Sequence, residues 1–325
     1  MATTLLQMVL MCQIQYTFLL LDDYSGIKEV RVRVQDLTNG NYYDGTSFGP
    51  YSDPETGLLW RLAYTGTPGE TGPITWSLTE ANLYNNYQSG HIYNVVVRVE
   101  DFATNRSTFT VGQSSNVFTY DITAPEVVII MPQVSVSTPV YNSMTIISGT
   151  AKDKPDGIGE YNSGVLENRI MVYYISDVPT TGTTYYWNGT EFSSWSYPVN
   201  GLSASGETTW SYTCAKFQDS SAWSNGVLYY VSVKSKDNAD NESSWVTNKF
   251  IFDNVIPSVS VGLPVGGKTY KNLAQITGTA QDTHSRVKKV ELSIRDLSFP
   301  KYSIPATGGI RVCCFCKTPE GCIVR

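Results

Sequence analysis

SGHIYNVVVRVEDFATN, residues 89–105, returns without a gap as NGVLYYVSVKSKDNADN at residues 225–241. Gly90, Tyr93, Val95, Val97, Asp101, Ala103 and Asn105 fall on Gly226, Tyr229, Val231, Val233, Asp237, Ala239 and Asn241. In the first copy Tyr93, Val95, Val97 and Val99 alternate with Asn94, Val96 and Arg98. That is the period of two expected of a strand whose two faces differ. VRVRV at 30–34 alternates more strictly, and VELSIRD at 290–296 repeats the pattern. Asn-Gly, Ser-Gly, Asp-Gly and Pro-Gly turn signals separate the runs, and no segment sustains a helical period.

Self-similarity extends outward from this stretch. ITWSLT at 74–79 pairs with TTWSYT at 208–213, and FTYDITAP at 118–125 pairs with FIFDNVIP at 250–257. IISGTAKD at 146–153 matches QITGTAQD at 275–282, and SGIKEVRVRVQDL at 25–37 matches SRVKKVELSIRDL at 285–297. The chain therefore reads as a tandem array. One unit occupies 1–125 with atypical first strands, and a complete one occupies 126–257. A truncated one follows at 258–307, and a Cys-rich tail at 308–325 is left outside the fold. The expected fold is all-β, an array of antiparallel immunoglobulin-like sandwiches. Tyr93 and Tyr229 open the penultimate long strand of their units. There a tyrosine either bonds back across a corner or is an ordinary half-buried strand aromatic.

These motifs in this order resemble bacterial immunoglobulin-like repeats, the tandem modules of large secreted and surface proteins. The resemblance spans roughly residues 22–300. It is carried by D-x-x-x-P (Asp121–Pro125, Asp253–Pro257), by GTA-x-D (Gly149–Asp153, Gly278–Asp282) and by Y-x-V-x-V leading to D-x-A-x-N. Two departures stand out. The family has Gly before the last Asn, where this chain has Thr104 and Asp240. The middle unit also carries a Tyr/Trp-rich insertion at about 176–206. The resemblance implies an extracellular or cell-surface chain that extends, spaces or adheres without catalysis. Its implied partners are neighbouring units of a longer chain, and surface glycans or host and cell-surface proteins.

Composition narrows the remaining chemistry. Of 325 residues only 16% are charged, with 22 Tyr and 7 Trp, and the net charge is −6. A pI near 5.0 and the lack of a long Lys/Arg run argue against nucleic acid, whose phosphates need basic patches. The apolar start, residues 1–21, has no basic n-region, no small-residue cleavage site and interrupting Gln residues. It reads as neither a signal peptide nor a membrane span. This reading makes the chain a fragment of a longer exported protein. Cys12 and Cys214 are the only cysteines before Cys313, Cys314, Cys316 and Cys322, so the body has no disulfide framework. The composition breaks abruptly after about Ile304, which fits a tail from a misread or truncated gene.

Three chemistries are open to these residues. The resemblance implies calcium held by junction aspartates, drawn from Asp101, Asp121, Asp153, Asp237, Asp253 and Asp282, with Asp237 expected to meet Asp253. The alternative is a polar turn in which Asp and Asn bond their own backbone. Counting from Asp237, position 3 is Ala239 and position 6 is Glu242, so the loop is not an EF-hand. No cofactor is otherwise required. Catalysis would rest on His91 or His284, each read as a surface histidine, and the chain is taken as a non-enzyme. Tyr185, Tyr186, Trp187 and Trp195 form a candidate glycan platform. They support the alternative of a carbohydrate-binding accessory region in a secreted polysaccharide-active protein. Their bland counterpart is a hairpin whose aromatics pair across strands.

Overall fold

Alternating burial organises the first sheet. In strand β1 (Ile27–Asp36) Val30, Val32 and Val34 are buried, as are Tyr93, Val95 and Val97 of β5 (His91–Asp101). The two strands pair antiparallel, bringing Val32 to Val97, Val34 to Val95 and Asp36 to Tyr93. Each valine so removed from water contributes about 1.5–3 kcal/mol. The other face carries Arg33 and Arg98, whose guanidinium groups lie 4.8 and 4.0 Å from the ring centre of buried Trp60.

The computed structural model describes residues 25–108, 111, 114–176, 182–195, 198–294 and 312–314. The chain divides into two compact units. The first holds residues 1–126, 152–166 and 235–243; the second holds 127–151, 167–234 and 244–325. The described strands are antiparallel almost throughout, and among the described residues helix is confined to α1 (Ala81–Asn86), α2 (Ala215–Gln218) and one 3-10 turn at Gly57–Leu59. The protein is all-β, as the sequence leads one to expect.

The first unit contains β2 (Tyr42–Tyr43), β3 (Phe48–Gly49), β4 (Arg61–Thr65) and β6 (Ser115–Tyr120) in one sheet of order β3-β2-β1-β5-β6, with β4 also on β1. Ile74, Trp76 and Leu83 join its core. Segments 152–166 and 235–243 belong to this unit, although repeat order would give them to the next. Tyr161 donates its N–H to the Gly90 carbonyl at 2.9 Å, and the Asn241 amide reaches the Asp121 carbonyl at 3.2 Å.

The second unit is a sandwich. One sheet runs β12 (Phe192–Ser193), β11 (Thr184–Trp187), β10 (Val165–Ile175), β15 (Leu228–Asp237), β16 (Val246–Phe252) and β8 (Val140–Tyr141), with β13 (Leu202–Ser203) on β10. The other is β14 (Thr209–Tyr212), β9 (Ile147–Lys152) and β7 (Glu126–Met131). Buried Asn248 of β16 ties the two layers, donating its amide to the Pro132 carbonyl at 2.8 Å. The GTA-x-D glycine has a steric cause. A Cβ on Gly149 would run into the Trp210 ring and the Val128 carbonyl, and one on Gly278 into the Ser260 carbonyl.

Tyr93 and Tyr229 are true corners. Their hydroxyls accept the Gln88 and Ser224 backbone N–H, each at 2.9 Å and each five residues upstream. Burial pushes the Tyr93 hydroxyl up to about 12.

The third repeat supplies β17 (Ser258–Leu263) paired with β18 (Thr277–Gln281), and β19 (Val290–Leu292) paired with β20 (Val312–Cys314). Val259 and Val261 are exposed where the second repeat buries Val127 and Ile129. The β19–β20 ladder corrects one expectation: three tail residues join a sheet, because the free backbone edge of β19 accepts any extended partner. The rest of the tail and residues 1–21 lie outside the described residues.

Candidate metal centre

Three aspartates converge in the first unit. Asp121 follows β6, Asp153 follows β9 and Asp237 ends β15. Their carboxylates offer oxygens within 4.8 Å of one another. Relative exposures are 7%, 4% and 0%. Each is held by turns of its own segment. Asp121 accepts the Thr123 N–H at 3.0 Å, Asp153 the Lys154 N–H at 2.9 Å, and Asp237 the Ala239 and Asn241 N–H groups at 2.9 and 2.8 Å. Ser163 and Gly164 then link the first two. The Ser163 N–H donates to Asp121 Oδ2 at 2.8 Å, and the Gly164 N–H to Asp153 Oδ2 at 2.6 Å.

No lysine, arginine or histidine pairs with this trio among the described residues. Lys154 turns to Asp156 and Glu126, and Lys236 to Asp240. Burial raises the Asp153 carboxyl above its ordinary value, and the charges of Asp121 and Asp237 add to it, against the Lys154 and Gly164 N–H groups. A buried cluster of like charges with no counter-ion needs a cation or a proton to be stable. Three carboxylates make a hard, all-oxygen donor set, which suits calcium, magnesium or manganese rather than a softer metal.

The other aspartates stand apart from it. Asp101 closes its own turn, accepting the Asn105 N–H and side-chain amide at 2.7 Å each. Asp282 Oδ1 accepts the His284, Ser285 and Arg286 N–H groups. Buried Asp253 accepts the Val255 N–H at 3.0 Å, while its Oδ2 has no hydrogen-bond partner and His284 Nδ1 lies 3.7 Å from its Oδ1. The expected meeting of Asp237 with Asp253 is therefore wrong. In the antiparallel hairpin Ile251 pairs with Leu228, so Asp253 flanks the first residues of β15 and Asp237 is its last. Sequence reasoning also missed Ser163, although a signal exists: Ser163-Gly164 precedes β10 as Ser25-Gly26 precedes β1, with both glycines at positive φ.

The aromatic platform divides. Trp187 is 1% exposed and donates its indole N–H to the Tyr212 hydroxyl at 3.0 Å, so it belongs to the core. Tyr185 stacks on Tyr174 with centroids 5.0 Å apart, and Tyr186 packs on Tyr173, which stacks on Tyr230 at 5.1 Å and 10°. Tyr185 and Tyr186 thus each have a ring partner on the neighbouring strand β10. Trp195 alone of the four is open, at 95% exposed. His91 Nδ1 lies 2.7 Å from Oδ2 of buried Asp36. Among the described residues no helix is long and apolar enough to cross a membrane.

No family model matches the sequence, and no curated protein does. Among solved structures, a chain from a study of host-cell-surface retention of a 1.5-MDa bacterial ice-binding adhesin overlaps at 14% identity. The overlap covers 82% of this chain and 68% of that one, with a TM-score of 0.31. The chicken CNTN1 FN1–FN3 domains overlap at 9% identity, covering 90% of this chain and 77% of that one, with a TM-score of 0.23.

Proposed function

We propose that the chain is a non-catalytic spacer of an extracellular multi-domain protein, built from tandem sandwiches and stiffened by a hard divalent cation at Asp121, Asp153 and Asp237. The observation that supports it is the convergence of three buried carboxylates, from three separate stretches of sequence, with no ion pair to a cationic side chain among the described residues. Calcium is the ion of choice, because it accepts irregular oxygen cages that magnesium's strict octahedron excludes. Bound there, it would supply charge neutralisation and cross-link segments 121, 153 and 237. Asp121, Asp153 and Asp237 provide its ligands, and Ser163, Gly164 and Asn241 hold them in place. The repeats themselves supply length, and the low charge and tyrosine-rich strands suit a surface-exposed spacer.

Calorimetry of the full chain in calcium and in chelator tests this. Saturating calcium at about 100 times Kd adds about 2.7 kcal/mol to the unit that binds it. Identical unfolding curves at millimolar calcium would retire the cation.

A further inference from the structure

The outer edge of β16 is open along most of its length. Its inner edge is fully paired with β15, from Val246–Val233 to Ile251–Leu228. On the other side only Ile251 and Phe252 meet a strand, the two-residue β8, which runs parallel. Ile251 donates its N–H outward to the Pro139 carbonyl at 2.9 Å. In an antiparallel ladder the outward residues alternate, so Lys249 and Thr247 also turn their backbone groups away from β15. Among the described residues no strand pairs with them.

A groove of about 280 Å³ lies beside this edge, between Thr247–Lys249 and Tyr230 on one side and the segment Gln133–Pro139 on the other. That segment begins Gln-Val-Ser-Val-Ser, alternating like a strand, yet it forms none. Val134 and Val136 are 79% and 111% exposed. Lys249 is the one charged residue lining the groove, no acidic side chain lines it, and Lys249 forms no ion pair among the described residues.

We propose that the groove receives an extended peptide segment as an added strand on β16, with an acidic side chain set against Lys249. Unpaired N–H and C=O groups at two-residue spacing are complemented by another extended backbone and by little else, and such edges recur as peptide sites. Val134 gives the incoming strand an apolar contact on the second wall, and Lys249 selects its charge. This site is independent of the cation centre and lies wholly in the second unit.

The probe is a labelled seven-residue peptide of alternating valine and threonine with one central glutamate, added to the full chain. Expected are saturable binding and slowed hydrogen exchange at the Thr247 and Lys249 amides. Lys249→Glu should weaken binding by about tenfold or more and favour the lysine-centred peptide instead. Thermal unfolding confirms that this variant keeps its fold. A peptide methylated on alternate backbone nitrogens should bind poorly. No binding at millimolar peptide, equal binding of the methylated peptide, or equal affinity of the Lys249→Glu variant overturns the proposal. So does protection of both amides in the free protein, which would mean that 133–138 already closes the edge.

Discussion

Ser163 donates its backbone N–H to Asp121 Oδ2 at 2.8 Å across 42 residues of sequence. Its hydroxyl stands 3.3 Å from Asp153 Oδ2. One residue thus orients two of the three carboxylates, without bringing any positive charge to them. This arrangement makes the centre's response to charge testable.

Asp153→Asn removes one charge from the cluster while keeping an oxygen to accept the Gly164 or Lys154 N–H. Without calcium, relief of repulsion and the loss of one hydrogen bond offset each other, and stability should change by no more than about 1 kcal/mol. With calcium, the variant should lose most of the ion's stabilisation. Melting in calcium and in chelator, for both proteins, reads the difference. A full calcium shift in the variant would remove Asp153 from the ligand set.

The raised Asp153 carboxyl sets a pH trend of definite sign. Without an ion, the native state binds this proton more tightly than the unfolded state, whose carboxyl titrates near about 3.9. Stability from this group is therefore greatest below that value and is lost as pH rises through the raised native value. Calcium should flatten the trend, because the bound ion takes the proton's place. Chemical denaturation across pH 4–7, with and without calcium, checks both statements against Asp153→Asn, in which the group cannot titrate.

Tyr229→Phe removes the acceptor for the Ser224 N–H and leaves the ring in place. Loss of this part-buried hydrogen bond should cost about 0.5–1.5 kcal/mol, and Tyr93→Phe should cost the same through Gln88. Urea midpoints measure both. A loss below about 0.5 kcal/mol would mean that water replaces the hydroxyl.

Much of this was legible before the structure. Period-two alternation places Val95, Val97, Val231 and Val233 in the cores, and the repeat puts Tyr93 and Tyr229 where a corner is one of two readings, the one the structure shows. The three aspartates of the centre are all among the sequence's candidates, but motif order alone matches Asp237 to the wrong end of its hairpin. Motif order does not say which strand ends are neighbours, whereas antiparallel pairing separates the close of β15 from the close of β16. Trp187 was misplaced for a related reason. Alternation sends Tyr185 and Trp187 inward and Tyr186 outward once TYYW is read as a strand. A density of aromatic residues carries no such direction.

That distinction gives a paired prediction. Trp187→Ala opens a cavity among Phe192, Phe217 and Tyr212 and should cost about 3–5 kcal/mol. Trp195→Ala removes an exposed side chain and should stay within about 0.5 kcal/mol of wild type. Unfolding in guanidinium compares them, and equal effects would contradict the placement of both rings.

Thr104 and Asp240 occupy equivalent turns, and both sit at φ +69°. A β-branched residue is the poorer occupant of left-handed backbone, where Cβ crowds the carbonyl at a cost of about 1–2 kcal/mol. Glycine relieves that crowding but adds about 0.5–1 kcal/mol of unfolded-chain entropy. Thr104→Gly should therefore stabilise the first unit by roughly 0.5–1 kcal/mol. Asp240→Gly should gain less, because Asp tolerates this conformation and its carboxylate meets Lys236 at 2.6 Å. Melting curves of the two variants decide the order. A destabilised Thr104→Gly would show that the threonine side chain holds the turn by a contact worth more than its strain.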